Sequence, residues 1–230
     1  MILTDKKILI TGASDGIGKS MALALSKTGA HVILLGRNEE KLASVSADCE
    51  NTTTIIACDI TDHEKLTVKL EEVISNQGVD ILINNAGIWT QAGDVTTLSD
   101  EDIENVIATN LTSHVLITKK VLPHMRNKES AILNIISKAG IVAQKGFAAY
   151  SASKYGMQGF TDVLREDTAE EPIRIAAIYQ AGTRTNIFEK SGQMGVPIQK
   201  FTEPADLADV VVFMLSQPEK IWLKEVHVEF

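Results

Sequence analysis

The sequence predicts an α/β fold in which one parallel sheet of about seven strands carries helices on both faces. Short apolar runs of strand length alternate with amphipathic stretches of about 10 to 15 residues along most of the chain. A glycine-rich turn, Thr11 to Gly18, directly follows the first apolar run and opens the first amphipathic stretch. Strand–helix–strand units form right-handed crossovers, so we expect a doubly wound, parallel sheet. Internal repeats and linkers are absent from the sequence, which predicts a single domain spanning residues 1–230.

Apolar and β-branched runs identify the strands in chain order. They predict strands at residues 7–11, 31–35, 53–58, 80–83, 130–136, 174–179 and 224–229. The last of these alternates apolar and polar residues, as a half-exposed edge strand does. Residues 89–99 and 180–204 lack a clear period and are predicted to be irregular.

Apolar residues at helical spacing identify the helices. The first follows the glycine turn and ends at Gly29, since glycine suits a left-handed helix end. The remaining predicted helices are residues 38–46, a helix from Thr61-Asp62 to Gly78, residues 103–111 and 115–125, the segment that follows Tyr150, and residues 205–215. Asn110 interrupts the apolar pattern of its helix, which predicts either a kink or a functional role.

Composition excludes several classes of function. The formal net charge of −8 argues against nucleic acid or an anionic membrane as the main partner. Apolar runs stay below the ~20 residues of a membrane span, and residues 1–7 are too short and polar for a signal peptide, so we expect a cytoplasmic protein. Cys49 and Cys58 are expected to be reduced thiols, and the five histidines lack ligand spacing, so we expect no metal site.

The glycine turn is the first candidate site. Glycines between a strand and a helix allow a tight turn and let the backbone approach a pyrophosphate at the helix N-terminus. The spacing here is Gly-x-x-x-Gly-x-Gly, at Gly12, Gly16 and Gly18, and a simple glycine-rich turn remains the alternative.

Arg37 is the second candidate. An NAD-selecting site places an acidic residue at the end of the second strand, about 20 residues after the glycines. Here that place holds Gly36, followed by Arg37, whose guanidinium suits phosphate. We therefore predict a preference for NADP(H), with Arg37 on the 2′-phosphate. The alternative is a surface arginine that opens the next helix.

Tyr150 and Lys154 form the third candidate. Residues four apart on a helix lie on one face, and a cation beside a phenol lowers the phenol pKa. Such a tyrosine can exchange a proton with a carbonyl oxygen near neutral pH. Taken alone, such a pair is more often a solvated pair on a helix surface than a catalytic one. Asp59 and Asn84, like Gly12 and Arg37, follow predicted strands and are expected at the sheet edge where ligands bind.

Taken together, these motifs resemble the short-chain dehydrogenase/reductase family over essentially the whole chain. The resemblance rests on five features in the family's order. They are the turn Thr11 to Gly18, Asp59, Asn84-Asn85-Ala86-Gly87, Asn110, and Ser137 followed 13 residues later by Tyr150-x-x-x-Lys154. Agreement of the ordered set carries more weight than any single motif. It implies a Rossmann-like, nicotinamide-nucleotide-dependent oxidoreductase.

The resemblance also implies roles for single residues. Tyr150 would be the general acid, Ser137 would bind the substrate oxygen, and Lys154 would hold the nicotinamide ribose and lower the pKa of Tyr150. Asn110 would hold a water that relays protons to Lys154. The implied cofactor-binding set is Gly12, Ser14, Asp15, Gly16, Ile17, Gly18, Arg37, Asn38, Asp59, Ile60, Asn84, Ala86, Gly87, Tyr150, Lys154 and Thr185.

One departure from the family pattern follows the sixth strand. The family usually has Pro-Gly there, with a threonine four residues after the glycine. Thr185 fits that threonine if Gln180-Ala181 replaces Pro-Gly, and Asn186 takes the position if Ala181-Gly182 does. We favour Thr185 as the residue that contacts the nicotinamide carboxamide.

The substrate is less well defined by the sequence. Trp89, Ser137, Gln144 and Phe188 are the candidate substrate residues, and Ala139, Val142, Phe147 and Met194 are expected nearby, which suggests a mostly apolar site for a small carbonyl compound.

Three functions remain open: a carbonyl reductase, a 3-oxoacyl-thioester reductase that serves an acidic acyl carrier, and a non-catalytic nucleotide sensor. The second would need a basic rim, for which Lys138, Lys145 and Arg184 are candidates. The family resemblance suggests a homodimer or homotetramer built through the helices around Asn110 and Tyr150.

Overall fold

The strands form one parallel sheet at the centre of the folded protein. The computed structural model describes residues 1–229. Within them the sheet has the order β3-β2-β1-β4-β5-β6-β7, and every neighbouring pair is parallel. The strands are β1 (Lys7–Thr11), β2 (His31–Gly36), β3 (Thr53–Ala57), β4 (Ile81–Asn84), β5 (Ser130–Ile135), β6 (Ile173–Gln180) and β7 (Glu225–Val228). The predicted α/β fold is confirmed.

Helices cover both faces of the sheet. They are α1 (Gly16–Ser26), α2 (Glu39–Asp48), α3 (His63–Gln77), α4 (Asp100–Ile107), α5 (Ser113–Val121), α6 (Ala148–Asp167), α7 (Ile187–Lys190) and α8 (Pro204–Leu215). Short 3₁₀ turns occupy Val95–Thr97, Leu122–His124, Lys138–Gly140 and Ile198–Lys200. A π-helical turn, Ala108–Thr112, joins α4 to α5.

Alternating side chains of the buried strands supply two apolar layers. Ile8 and Ile10 of β1 point to one face, where α1 packs against α8. Leu9 points to the other face, where α3 packs against α5. Successive side chains of a strand project to opposite faces, so a strand buried on both sides reads as a continuous apolar run. Burial of each such side chain stabilises the fold by about 1.5 to 3 kcal/mol.

Polar side chains begin the helices where the sequence predicts it. Asn38 accepts a hydrogen bond from the Lys41 backbone N–H at 2.8 Å and caps α2. Asp62 accepts from the Lys65 N–H at 3.2 Å and caps α3. Gly29 has a φ of +83°, as expected of a residue that ends a helix in the left-handed region.

Two predicted segments differ from the structure in the type of secondary structure they contain. The helix predicted for residues 115–125 ends at Val121 and continues as a 3₁₀ turn, because Pro123 has no N–H to donate within an α-helix. Residues 180–204, predicted to be irregular, contain α7 and a 3₁₀ turn. Among the helices of residues 1–229, none is long and apolar enough to cross a membrane.

Candidate active site

The sheet order creates a crevice at the carboxyl ends of β1 and β4. Strand β1 lies between β2 and β4. The strands that follow it in the chain are added first on one side of β1, as β2 and β3, and then on the other side, as β4 to β7. Ligands of open parallel sheets bind at such a switch point. The glycine turn follows β1 there, Arg37 follows β2, and Asn85 to Gly87 follow β4.

The glycine turn can adopt its tight conformation only because Gly12 and Gly18 have no side chain. Gly12 has a φ of +69°, and a Cβ on it would lie 2.9 Å from the Cα of Ala86. A Cβ on Gly18 would overlap the carbonyl oxygen of Gly12. The turn therefore packs directly on the chain after β4 and leaves the N-terminus of α1 open to the crevice.

A groove of about 650 Å³ runs along this edge. Its volume is ordinary for a small-molecule site. Glycines, the N-terminus of α1 and one arginine line it, a donor set that fits the phosphates of a dinucleotide. The predicted cofactor residues on its walls are Gly12, Ser14, Asp15, Gly16, Ile17, Gly18, Arg37, Asp59, Ile60, Ala86, Gly87 and Thr185.

Arg37 lies exposed at the far end of the groove. Its Nη1 is 3.7 Å from the Oδ2 of Asp59, and 71% of its side chain is exposed. Burial alone would raise the pKa of Asp59, but hydrogen bonds from Thr61 and the charge of Arg37 hold it below its usual value. A Cβ on Gly36 would lie 3.3 Å from the Ser14 hydroxyl, so a larger residue at position 36 would crowd the glycine turn.

Asp15 connects the glycine turn to two lysines. Its Oδ1 accepts a hydrogen bond from the Gly16 N–H at 2.8 Å and caps α1. Its Oδ2 lies 2.7 Å from Lys190 Nζ and 3.7 Å from Lys41 Nζ. The hydrogen bond from Lys190 is the main reason that the pKa of Asp15 is lowered.

The structure corrects the prediction for Asn84. Its side chain is fully buried, and its Nδ2 donates to Thr118 Oγ1 at 3.1 Å and to Asn134 Oδ1 at 2.9 Å. It therefore ties β4 to β5 and α5 and does not line the groove. Asn85 lines the groove instead and donates from its Nδ2 to the Thr11 carbonyl at 2.8 Å.

Asn38 also lies outside the groove lining. Its side chain is used as the cap of α2, as described above. Thr185 lies on the groove wall, and its Cγ2 would be 3.1 Å from a Cβ on Gly16. Asn186 lines the same wall, so the choice of Thr185 for the carboxamide contact stays a prediction.

Tyr150 and Ser137 meet beside the groove. Tyr150 lies on the first turn of α6, Ser137 follows β5, and both side chains are buried. Burial raises the pKa of Tyr150, and hydrogen bonding to the Ser137 side chain only partly offsets this. The expected lowering of the Tyr150 pKa by Lys154 is therefore not found. The phenol stays protonated at neutral pH, which is the state a proton donor needs.

Lys154 is buried one turn along α6. Its Nζ donates to the Ile135 carbonyl at 3.2 Å and lies 5.8 Å from the centroid of the Tyr150 ring. Burial lowers the pKa of Lys154 to about 8. A buried ammonium is costly, so burial favours loss of the Lys154 proton at a lower pH than for an exposed lysine.

Asn110 lies in the π-helical turn and is fully buried. Its Oδ1 accepts from the Ile88 N–H at 2.8 Å, and its Nδ2 donates to the Ile88 carbonyl at 2.9 Å and to Ser153 Oγ at 3.2 Å. A Cβ on Gly87 would lie 3.4 Å from Asn110 Oδ1 and 3.8 Å from Lys154 Nζ. Asn110 thus joins α6 to the groove wall. The predicted interruption of the helix is a π turn, a feature common at functional sites.

Trp89 connects Tyr150 to two further aromatic side chains. The ring centroid of Trp89 is 4.5 Å from those of Tyr150 and Phe147 and 5.4 Å from that of Phe188. Ala139 is buried in the same cluster. Of the other substrate candidates, Gln144, Val142 and Met194 are exposed, and Met194 is 82% exposed.

Groups that could hold a metal ion were sought among residues 1–229, and no cluster of three or more such side chains occurs there. Cys49 and Cys58 are free thiols, and burial raises the pKa of both.

Comparison with known proteins gives the family. Residues 6–195 match the family model described as short chain dehydrogenase. The chain is 33% identical over 235 residues to the 3-oxoacyl-[acyl-carrier-protein] reductase of Rickettsia felis, which covers 98% of this chain and 96% of the relative.

Solved structures support the same family assignment. A metagenomic short-chain oxidoreductase in complex with NADP superimposes with a TM-score of 0.85 at 27% identity, with all of both chains covered. The 3-ketoacyl-(acyl-carrier-protein) reductase of Brucella melitensis, complexed with NADH, gives a TM-score of 0.87 at 27% identity and covers 98% of this chain and 96% of that one.

The fold and the site define a nucleotide-dependent oxidoreductase, and the chain belongs to the short-chain dehydrogenase family. The predicted family and enzyme class are confirmed. Sequence reasoning missed Lys190, Gln193 and Ser153, which contact the site through bonds between distant parts of the chain. Local periodicity carries no signal for such contacts.

Proposed function

We propose that this protein reduces a ketone or aldehyde to an alcohol with NADPH, and that Tyr150 is the general acid. The observation that carries this proposal is the position of Tyr150. Its side chain is buried on the first turn of α6 and packs against Trp89, which lines the groove that fits a dinucleotide. Burial raises the pKa of the phenol, and the Ser137 side chain only partly offsets this, so the phenol is available as a proton donor.

Side chains at this site can stabilise the reaction of a carbonyl group. The reduced nicotinamide, when bound, supplies the hydride. Negative charge then develops on the carbonyl oxygen, and the Ser137 hydroxyl donates a hydrogen bond to it. Tyr150 gives its proton to the same oxygen. The product is an alcohol, and the phenolate left on Tyr150 must recover a proton.

Lys154 and Asn110 support that proton transfer. The Nζ of Lys154 lies 5.8 Å from the centroid of the Tyr150 ring, and with its pKa lowered to about 8 it can pass a proton towards the phenolate. It would also hold the nicotinamide ribose. Asn110, fixed through Ile88 and Ser153, is the candidate to hold the water that returns a proton by way of Lys154.

Preference for NADPH over NADH is supported by Gly36 and Arg37. An acidic residue at the end of β2 would select the ribose 2′-hydroxyl of NADH, whereas the exposed guanidinium of Arg37 suits a 2′-phosphate. The test is the ratio of kcat/KM for NADPH to that for NADH. We expect Arg37→Ala to lower this ratio at least tenfold while Arg126→Ala, a charge-matched change beside Glu171, leaves it unaltered. An unchanged ratio in Arg37→Ala would remove the assignment.

Trp89 packs on Tyr150 and is itself packed by Phe147 and Phe188, which supports a small, largely apolar carbonyl compound as substrate. A 3-oxoacyl thioester is the second candidate, because the Rickettsia felis relative is a 3-oxoacyl-[acyl-carrier-protein] reductase. Two of the cations proposed for an acyl-carrier rim have carboxylate neighbours, which lowers the net positive charge of that rim. Lys138 Nζ lies 2.9 Å from Glu229 and Arg184 Nη1 lies 2.9 Å from Glu203.

A panel of ketones, diketones, aldehydes and acetoacetyl thioesters, followed by NADPH absorbance, separates the two substrates. We expect free carbonyl compounds to be reduced with the higher kcat/KM. A strong preference for acetoacetyl thioesters, increased by attachment to an acidic carrier, would favour the second function.

We further expect a cytoplasmic homodimer or homotetramer. Tyr155 and Val163 on α6 are 41% and 60% exposed, which supports a contact through this helix. Light scattering after size exclusion gives the subunit number, and Val163→Glu should lower it if α6 forms the contact.

A further inference from the structure

One ion pair spans the mouth of the groove. Lys190 Nζ at the end of α7 lies 2.7 Å from Asp15 Oδ2 in the glycine turn, across 175 positions of sequence. Lys41 Nζ of α2 lies 3.7 Å from the same oxygen. One carboxylate therefore has two ammonium neighbours, and the rim is locally cationic in a chain whose formal net charge is −8.

Asp15 occupies the place where an anion would approach α1. Its carboxylate caps the helix through the Gly16 N–H, and Asp15, Gly16 and Lys190 all line the groove. The N-terminus of an eleven-residue helix attracts negative charge. A pyrophosphate that enters there meets both the carboxylate of Asp15 and the ammonium that this carboxylate holds.

The Asp15–Lys190 pair is suited to exchange. Their side chains are 36% and 58% exposed, and exposed ion pairs contribute little to stability. A phosphate offers several charged acceptor oxygens, and hydrogen bonds between ionised partners are strong. The ammonium therefore gains by turning from Asp15 to a phosphate in the groove.

The Lys190 side chain can turn from Asp15 to a phosphate while residues 187–193 keep their other contacts with the groove. Gln193 Oε1 accepts from the Ala92 N–H at 2.8 Å and from Trp89 Nε1 at 3.4 Å, on the opposite wall. Gly192, with a φ of +74°, reverses the chain between Lys190 and Gln193. Residues 187–193 thus contact both walls of the groove, and the Lys190 side chain reaches the glycine turn through the exchangeable pair.

We propose that Lys190 is a phosphate-binding residue of the nucleotide site, which exchanges its contact with Asp15 for the pyrophosphate when the dinucleotide binds. This inference rests on the dinucleotide site of the proposed function. It depends neither on the NADPH preference nor on the substrate, because NADPH and NADH carry the same pyrophosphate.

The test is the equilibrium Kd of NADPH and of NADH, measured by quenching of tryptophan fluorescence in the purified full chain. We expect Lys190→Gln to weaken both nucleotides by about tenfold and to reduce the salt dependence of binding. Lys190→Arg should retain most of the affinity. Lys200→Gln, an equal change of charge in the same stretch that does not line the groove, is the control and should bind both nucleotides normally.

Asp15→Asn distinguishes a direct contact between Lys190 and the phosphate from a role in which Lys190 only holds α7 against the glycine turn. Asparagine keeps the capping oxygen but gives up the charge, so Lys190 is released to the phosphate and both nucleotides should bind about threefold more tightly. If Lys190 acted only by holding α7 against the glycine turn, Asp15→Asn would weaken binding as Lys190→Gln does.

Three results would overturn the proposal. They are an unchanged Kd for both nucleotides in Lys190→Gln, a loss confined to NADPH, which would place the lysine on the 2′-phosphate, and weaker binding in Asp15→Asn. If the unaltered protein binds neither nucleotide, it is the proposed function that fails. Thermal unfolding of each variant verifies that the fold is intact.

Discussion

The ring of Trp89 packs against the ring of Tyr150 with their centroids 4.5 Å apart and an interplanar angle of 63°. Trp89 is held there by Phe147 and by a hydrogen bond from its Nε1 to Gln193. It therefore limits the space in which a carbonyl compound can approach the phenol, and its size should decide which substrates are accepted.

Trp89→Ala should enlarge the site and shift its substrate range. We expect the ratio of kcat/KM for bulky ketones to that for small ketones to rise on the order of tenfold, since differences of a few methylene groups are discriminated on that scale. Trp222→Phe is the matched control, because that tryptophan lies near the end of the sheet, where its Nε1 donates to the Ile175 carbonyl. An unaltered ratio in Trp89→Ala would show that Trp89 does not border the substrate.

Asn110→Ala should affect both stability and turnover. The substitution leaves the buried N–H and carbonyl of Ile88 without their side-chain partner and removes the contact to Ser153. We expect the free energy of unfolding to fall by about 2 to 4 kcal/mol, as measured by urea denaturation. Asn105→Ala, on the exposed face of α4, is the control. An Asn110→Ala variant with unchanged free energy of unfolding and unchanged kcat would contradict the role given to this asparagine.

His114 should make the protein sensitive to acid. Burial lowers the pKa of this histidine to about 4, and its Nε2 lies 2.7 Å from the Ala86 carbonyl oxygen, to which the neutral ring donates a hydrogen bond. An unfolded chain binds a proton at this residue near pH 6.5, so the native state binds fewer protons between pH 6.5 and pH 4. The stability contributed by His114 is complete above that range and is lost as the pH falls through it.

The measurement is the free energy of unfolding at pH 7 and at pH 4. His114→Gln, which can keep the hydrogen bond to Ala86, should reduce the difference between the two values by about 3 kcal/mol. His124→Gln, which changes an exposed histidine, is the control and should leave the difference as it is. The same difference in His114→Gln and in the unaltered protein would show that His114 does not carry the acid sensitivity.

Local sequence patterns were sufficient for the sheet and for most of the groove. Apolar runs identified every strand within one or two residues of its ends, and the glycine spacing located the turn between β1 and α1. Arg37 and Asp59 follow strands whose carboxyl ends share an edge, so topology alone brings them together.

The predictions that failed needed three-dimensional information. Asn84 faces inwards because it lies opposite Asn134 in the register of β4 and β5. Burial raises the pKa of Tyr150, and the cluster in which Tyr150 is buried joins residues far apart in the sequence, such as Trp89 and Ala139. Lys190 meets Asp15 only because α7 folds back over the glycine turn.

The central claim is that the phenol of Tyr150 supplies the proton that completes reduction of a carbonyl group. Its most direct test is Tyr150→Phe, which keeps the ring against Trp89 and removes only the hydroxyl. We predict that this variant binds NADPH with a Kd close to that of the unaltered protein and loses turnover by about 10²- to 10⁴-fold. Normal turnover with normal NADPH binding in Tyr150→Phe would contradict the account.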